Sequence, residues 1–159
     1  MDSMDEIYIE RANNELLAAY SLKKLSEEPD AKKIFNIPLD TTFFSSVISH
    51  SYYAIFYAAK SILLTKGIKT VSPEIHRKTL EAFKKYLVET GILDVKLLEI
   101  YKSIVIRADA LFEIFKAEKK KRGDFTYTTI PQANKGFAED SLKNAQIFVS
   151  NIEKTLRKK

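Results

Sequence analysis

A chain of 159 residues with 45% apolar and 30% charged side chains can bury roughly 70% of its unfolded surface in one core, which predicts a single domain over residues 1–159. Zero cysteines exclude a disulfide framework and thiol chemistry, and every apolar stretch is interrupted well before the length of a membrane span. The net charge of +5, from 26 basic and 21 acidic residues, favours anionic partners only weakly, and four acids within Met1–Glu10 are unlike a signal peptide, so a cytoplasmic location is expected.

Four glycines and four prolines fall almost entirely between apolar-periodic segments, as in a helical protein with short connections. The first helix is expected from about Asp5 to Glu28, with Ile9, Leu16, Leu17, Tyr20 and Leu25 on its apolar side. Pro29 lies beyond its end, and a loop containing Pro38 follows. The second opens after Asp40-Thr41-Thr42 and carries Phe44, Val47, Ile48, Ser51, Ile55, Ala58, Ile62 and Leu63 at three- and four-residue steps, with Gly67 closing it. Ser72-Pro73-Glu74 reads as an N-cap serine with proline at the first helical position, opening a third helix that reaches Thr90 before Gly91. A fourth runs from about Asp94 to Lys121 with Leu97, Leu98, Tyr101, Ile104, Val105, Ala108, Leu111, Phe112 and Phe115 on one stripe. The fifth spans about Lys135 to Lys158, with Phe137, Leu142, Ala145, Phe148, Val149, Ile152 and Leu156 inward. With no alternating strand pattern, the expected fold is all-α, an antiparallel up-and-down bundle of four to five helices.

The fourth helix ends in positive charge. Lys116, Lys119, Lys120, Lys121 and Arg122 against Glu118 leave a local excess of four, followed by Gly123 and the rings of Phe125 and Tyr127. Cations attract phosphates regardless of base sequence, and rings stack on bases. The same lysines also suit a last helical turn, where they oppose the negative end of the helix dipole.

On the second helix Ser46, His50, Tyr53, Tyr57 and Lys60 follow at steps of four, three, four and three, giving an aromatic and polar side next to the apolar stripe. It fits a partner surface, and it equally fits half-buried packing against the first helix. His50 and His76 are the only histidines, and His76, in the first turn of the third helix, is expected to be a solvent-facing residue. No histidine pair, Cys-His cluster or acidic loop has metal-binding spacing, and neither glycine-rich phosphate cradle occurs, so no metal and no cofactor is expected.

Ser51-Tyr52-Tyr53-Ala54-Ile55-Phe56-Tyr57-Ala58-Ala59-Lys60, then Leu63-Leu64 and Gly67, with a following helix opening at His76, resemble the HEPN domain (higher eukaryote and prokaryote nucleotide-binding) in its small stand-alone archaeal and bacterial branch. Arg122-Gly123-Asp124-Phe125-Thr126-Tyr127 resembles that branch's R-x-x-x-D-Y segment, with threonine where the branch has aspartate. The last helix, through Ala145, Phe148 and Ile152, resembles its closing A-x-x-F-x-x-x-I helix, and the likeness extends over roughly residues 5 to 157. The resemblance implies a bundle that commonly dimerises, often beside a minimal nucleotidyltransferase. Many such relatives are metal-independent ribonucleases of toxin–antitoxin systems with an R-x4-6-H motif, whose arginine neutralises the scissile phosphate while the histidine moves protons. Here the positions four to six after Arg122 are Thr126, Tyr127 and Thr128, and no histidine follows. A tyrosine of pKa about 10 is a poor proton shuttle at neutral pH.

Three functions stay open at this point. The first is a non-catalytic HEPN module that binds RNA, a nucleotide or a nucleotidyltransferase partner through Lys119, Lys120, Lys121, Arg122 and Tyr127, as a homodimer with His50, Tyr53 and Tyr57 on the dimer or partner face. The second is a ribonuclease of toxin–antitoxin type with Arg122 and Tyr127 as its catalytic candidates. The third is a structural dimerisation bundle.

Overall fold

The computed structural model describes residues 3–121 and 135–158, with side chains as far as 111 in the first of these segments. It is all-α, and there is no strand among the described residues. The helices are α1 (Met4–Glu27), α2 (Pro29–Ile34), α3 (Phe44–Thr65), α4 (Ile75–Phe83), α5 (Val95–Lys121) and α6 (Lys135–Arg157). None among the described residues is long and apolar enough to cross a membrane.

α3 is the central helix, with α1, α4, α5 and α6 all packed against it. Its sequence explains this position. Val47, Ile48, Ala54, Ile55, Ala58, Ala59, Ile62 and Leu63 are all buried, too many for one narrow stripe, so the helix needs neighbours on several sides. In α1, Ala12 is fully buried together with Ala54, Ala58 and Ala59 of α3, and Ala19 with Phe44, Val47 and Ile48 of the same helix, and side chains as small as alanine let helix backbones approach closely. This corrects the inward side expected for α1. Leu17 and Tyr20 are 63% and 47% exposed, because the inner face of this helix is built from alanines and the half-buried Ile9 and Leu16. Phe137, expected inward, is also exposed, and the Arg107 guanidinium lies 5.0 Å above its ring. At the heart of the bundle Phe83, Tyr101 and Phe148 meet with ring centroids 5.3–5.8 Å apart.

Two connections differ from expectation. The stretch after Pro29 forms a short helix instead of continuous loop, with proline at its first turn, where the missing N–H costs nothing. The buried Lys32 ammonium donates to the Leu39 carbonyl at 2.6 Å and ties this helix to the chain that follows. The second difference is the start of α4, which is Ile75 and not Pro73. Glu74, with φ of 56°, is left-handed and stands outside the helix. Upstream, the Thr70 hydroxyl pairs with that of Thr79 at 2.7 Å and its carbonyl accepts from Lys60 at 3.1 Å. These buried polar groups must be satisfied, and they set the path of the segment over the local capping preference of Ser72. At its other end α4 widens into a π turn over Lys84–Val88, closed by the Glu89 N–H on the Lys84 carbonyl at 2.9 Å.

Gly67 and Gly91 follow helix ends with φ of 75° and 81°, a region costly for side chains carrying Cβ. The N–H of Ile68 reaches the Leu63 carbonyl at 3.0 Å across the first, so the orphan acceptors of α3 are met by its own cap. Gly123, expected at the next helix end, lies outside the described residues.

Candidate functional site

Chemistry-bearing side chains gather where α3 meets the start of α4. The Tyr52 hydroxyl lies 2.7 Å from Nδ1 of His76, and the imidazole packs on Phe56 with centroids 4.4 Å apart and on Tyr52 at 5.6 Å. Tyr53 meets the same imidazole edge-on at 6.1 Å. Behind them stands Lys60, 6% exposed, with its Nζ 4.9 Å from the Tyr8 ring centre and 5.9 Å from that of Phe56. No carboxylate among the described residues forms an ion pair with it. The surrounding rings supply the negative faces that a buried cation otherwise finds in a carboxylate.

This setting fixes protonation. Partial burial, and then the positive charge of Lys60, lower the His76 pKa below its ordinary 6.5, so the ring is neutral at pH 7. Burial first, then Tyr53 and the Asp109 carboxylate, push the Tyr52 pKa far above that of a free phenol. Tyr52 therefore keeps its proton, and in the tautomer in which its hydroxyl donates to Nδ1 the imidazole proton lies on Nε2.

A groove of about 660 Å³ opens beside this cluster. Ser49, Tyr52, Tyr53, His76, Arg77 and Leu80 line one side, and Val105, Ala108, Asp109 and Leu111 of α5 line the other. Arg77 is already held by Glu74 and Glu81 at 2.6 and 2.9 Å. Asp109 makes no hydrogen bond or ion pair among the described residues. A concave, mostly apolar space with a few convergent polar groups is the ordinary form of a small-ligand site.

The residues singled out from sequence divide into three groups. Tyr53 is 39% exposed and lines the groove. His50 instead faces α1, with Nδ1 2.5 Å from the Glu15 carboxylate, and Tyr57 stacks on Tyr8 at 6.0 Å under the Arg11 guanidinium at 4.4 Å. Their side of α3 thus carries helix packing at His50 and Tyr57 and open surface at Tyr53. The side chains of Lys119, Lys120 and Lys121 lie outside the described residues, although the backbone of α5 reaches Lys121, and Arg122 and Tyr127 lie outside them entirely. Arg107 pairs with Asp140 of α6 at 3.7 Å, an acid on an adjacent helix.

His76 is the residue whose setting sequence reasoning missed. It is solvent-facing, as expected, but it is also the partner of Tyr52, 24 positions away. Its one sequence signal is the run of rings at Tyr52, Tyr53 and Phe56, which needs a polar neighbour from another helix to satisfy a half-buried phenol.

Among curated proteins, one from Methanocaldococcus jannaschii named as a candidate toxin is 29% identical over 121 residues, covering 76% of this chain and 77% of its own. A second protein of that organism with the same kind of name is 28% identical over 147 residues, covering 89% and 86%. A Thermotoga maritima protein named UPF0332 protein is 28% identical over 111 residues, covering 70% and 71%. No solved structure matches the chain. The family model described as HEPN domain matches residues 30–155, spanning α2 to α6 and every residue of the Tyr52–His76 groove. The chain belongs to the HEPN domain family.

Proposed function

We propose that this HEPN-family protein is the toxin-like member of a toxin–antitoxin pair and that it works by binding RNA without cutting it. Phosphates lie along Lys119, Lys120, Lys121 and Arg122, Tyr127 stacks, and a base enters the groove at Tyr53. The observation that carries the proposal is the course of α5. One helix supplies a wall of the groove at Val105 to Leu111 and continues to Lys121, within the basic run. From Asp109 to Lys119 is about 15 Å at 1.5 Å per residue, a span of a few nucleotides. The names of the Methanocaldococcus jannaschii relatives support the toxin-like role. The lack of a histidine after Arg122 supports binding over hydrolysis.

The protein is proposed to be a homodimer that pairs with a nucleotidyltransferase-type partner, with Tyr53 as the free member of the His50, Tyr53 and Tyr57 side. Light scattering that finds only monomer at high micromolar concentration removes the dimer.

The test of function is RNA binding against salt. Log affinity should fall with log salt by somewhat under one unit for each phosphate neutralised on a single strand, and Arg122→Ala should weaken binding and flatten that slope. RNA should stay intact without metal. Cleavage that survives stringent purification and is lost in both Arg122→Ala and Tyr127→Phe would replace this proposal by a ribonuclease. Failure to bind RNA, nucleotides or a nucleotidyltransferase at low salt would leave a structural bundle.

A further inference from the structure

We infer that the groove between α3, α4 and α5 is a base-binding site selective for guanine, with Tyr53 stacking on the base and Asp109 accepting from its Watson–Crick edge. Its biological ligand rests on the RNA reading above, whereas its test with free nucleotide does not.

The groove lies within the roughly 300–1,000 Å³ typical of small-ligand sites. One wall is aromatic, with the partly exposed face of Tyr53 beside Tyr52 and His76, and the other is aliphatic, with Val105, Ala108 and Leu111. A flat ring fits between such walls, since base–aromatic stacking needs only two π-faces. The polar groups then choose the ring. The cation lining the groove, Arg77, is engaged by two glutamates, so it does not draw a phosphate into the groove. Asp109, free among the described residues, is an acceptor only. Guanine presents N1–H and N2–H side by side and can fill both carboxylate oxygens in a charge-assisted pair. Adenine and cytosine each set one amino donor beside a ring nitrogen whose lone pair faces the carboxylate, and uracil sets its single donor between two carbonyls. The remaining guanine acceptor, O6, calls for a neutral donor on the same groove, and His76 offers one at Nε2 in the tautomer whose Nδ1 accepts from Tyr52.

The experiment titrates guanosine, adenosine, cytidine and uridine monophosphates into the full-length protein, followed by calorimetry and by the His76 ring resonances in NMR. Guanosine monophosphate should bind roughly tenfold or more tighter than the other three and should shift His76. Asp109→Asn should bring it down to the level of adenosine monophosphate, and Tyr53→Ala should weaken all four alike. Removing a negative charge would by itself strengthen every anionic nucleotide, so a loss confined to guanine is not a charge effect. Equal binding of all four, no binding of guanosine monophosphate, or an Asp109→Asn protein that binds it unchanged or tighter overturns the inference. RNA binding that persists without guanine preference sinks the guanine site alone. Guanosine monophosphate binding without RNA binding sinks the RNA reading alone.

Discussion

The hydroxyl of Tyr52 and Nδ1 of His76, 2.7 Å apart, join the central helix to the first turn of α4 by a side-chain hydrogen bond across the rim of the groove. Tyr52→Phe removes the donor and leaves Nδ1 without a partner. The expected loss is about 1 kcal/mol of stability in urea unfolding, with the helical circular dichroism signal retained. Nitrogen chemical shifts of the imidazole should show the proton on Nε2 in the parent and a mixture of tautomers in the variant. A parent that carries its proton on Nδ1 would refute the donor assignment.

The depressed pKa of His76 has a consequence for stability. In the unfolded chain the ring titrates near its ordinary 6.5, and in the folded chain below it, so between those two values the unfolded state binds more protons. The stabilisation tied to neutral His76 is therefore complete above the unfolded value and fades as pH falls through the folded one. Urea midpoints measured from pH 7.5 down to 5 should fall more steeply in the parent than in His76→Asn. Parallel curves would show that His76 contributes nothing to the acid sensitivity.

Lys60→Met replaces the buried ammonium by an apolar chain of similar reach. With the charge gone, the His76 pKa should rise toward its ordinary value but not reach it, since burial is the larger cause of its depression. An NMR titration of the imidazole reads this directly. The same change removes the donor to the Thr70 carbonyl and should loosen the approach to α4, visible as faster amide exchange over residues 66–74.

Two substitutions test the core. Phe148→Ala empties the centre of the Phe83–Tyr101–Phe148 cluster and should cost about 3–5 kcal/mol. Ala58→Leu should cost about 1–3 kcal/mol for the opposite reason, since a fully buried alanine on the central helix leaves no space for a larger side chain. Urea unfolding of both measures whether α3 is packed as tightly as its alanines require.

What the sequence revealed follows from how each element earns its burial. α3 was legible because its inward positions are large and apolar at helical spacing, and the glycines at 67 and 91 marked ends that the positive φ values bear out. The inner face of α1 was not, because close approach to α3 is made by Ala12 and Ala19, and hydrophobicity draws the eye to Leu17 and Tyr20 instead. Tyr53 could be singled out from its spacing, but the contact of His76 with Tyr52 could not. The pairing with Tyr52 depends on the path of the segment before α4, which Lys60, Thr70 and Thr79 set through contacts between distant positions. The run from Lys119 to Arg122 was legible as charge, and charge alone does not say where a side chain points.

The π turn at Lys84–Val88 takes in one residue more than an ordinary helical turn. Upstream of it Phe83 is fully buried, although it stands seven residues from the exposed His76 and so about 20° away around a uniform α-helix, and beyond Phe83 Leu87 is fully buried again. His76 and Phe83 therefore differ in height along α4 and not in side: the core reaches Phe83, and the groove begins at the first turn above it. Because the extra residue is absorbed within the wide turn, deleting one residue there should leave both flanks where they are, with the imidazole still against Tyr52.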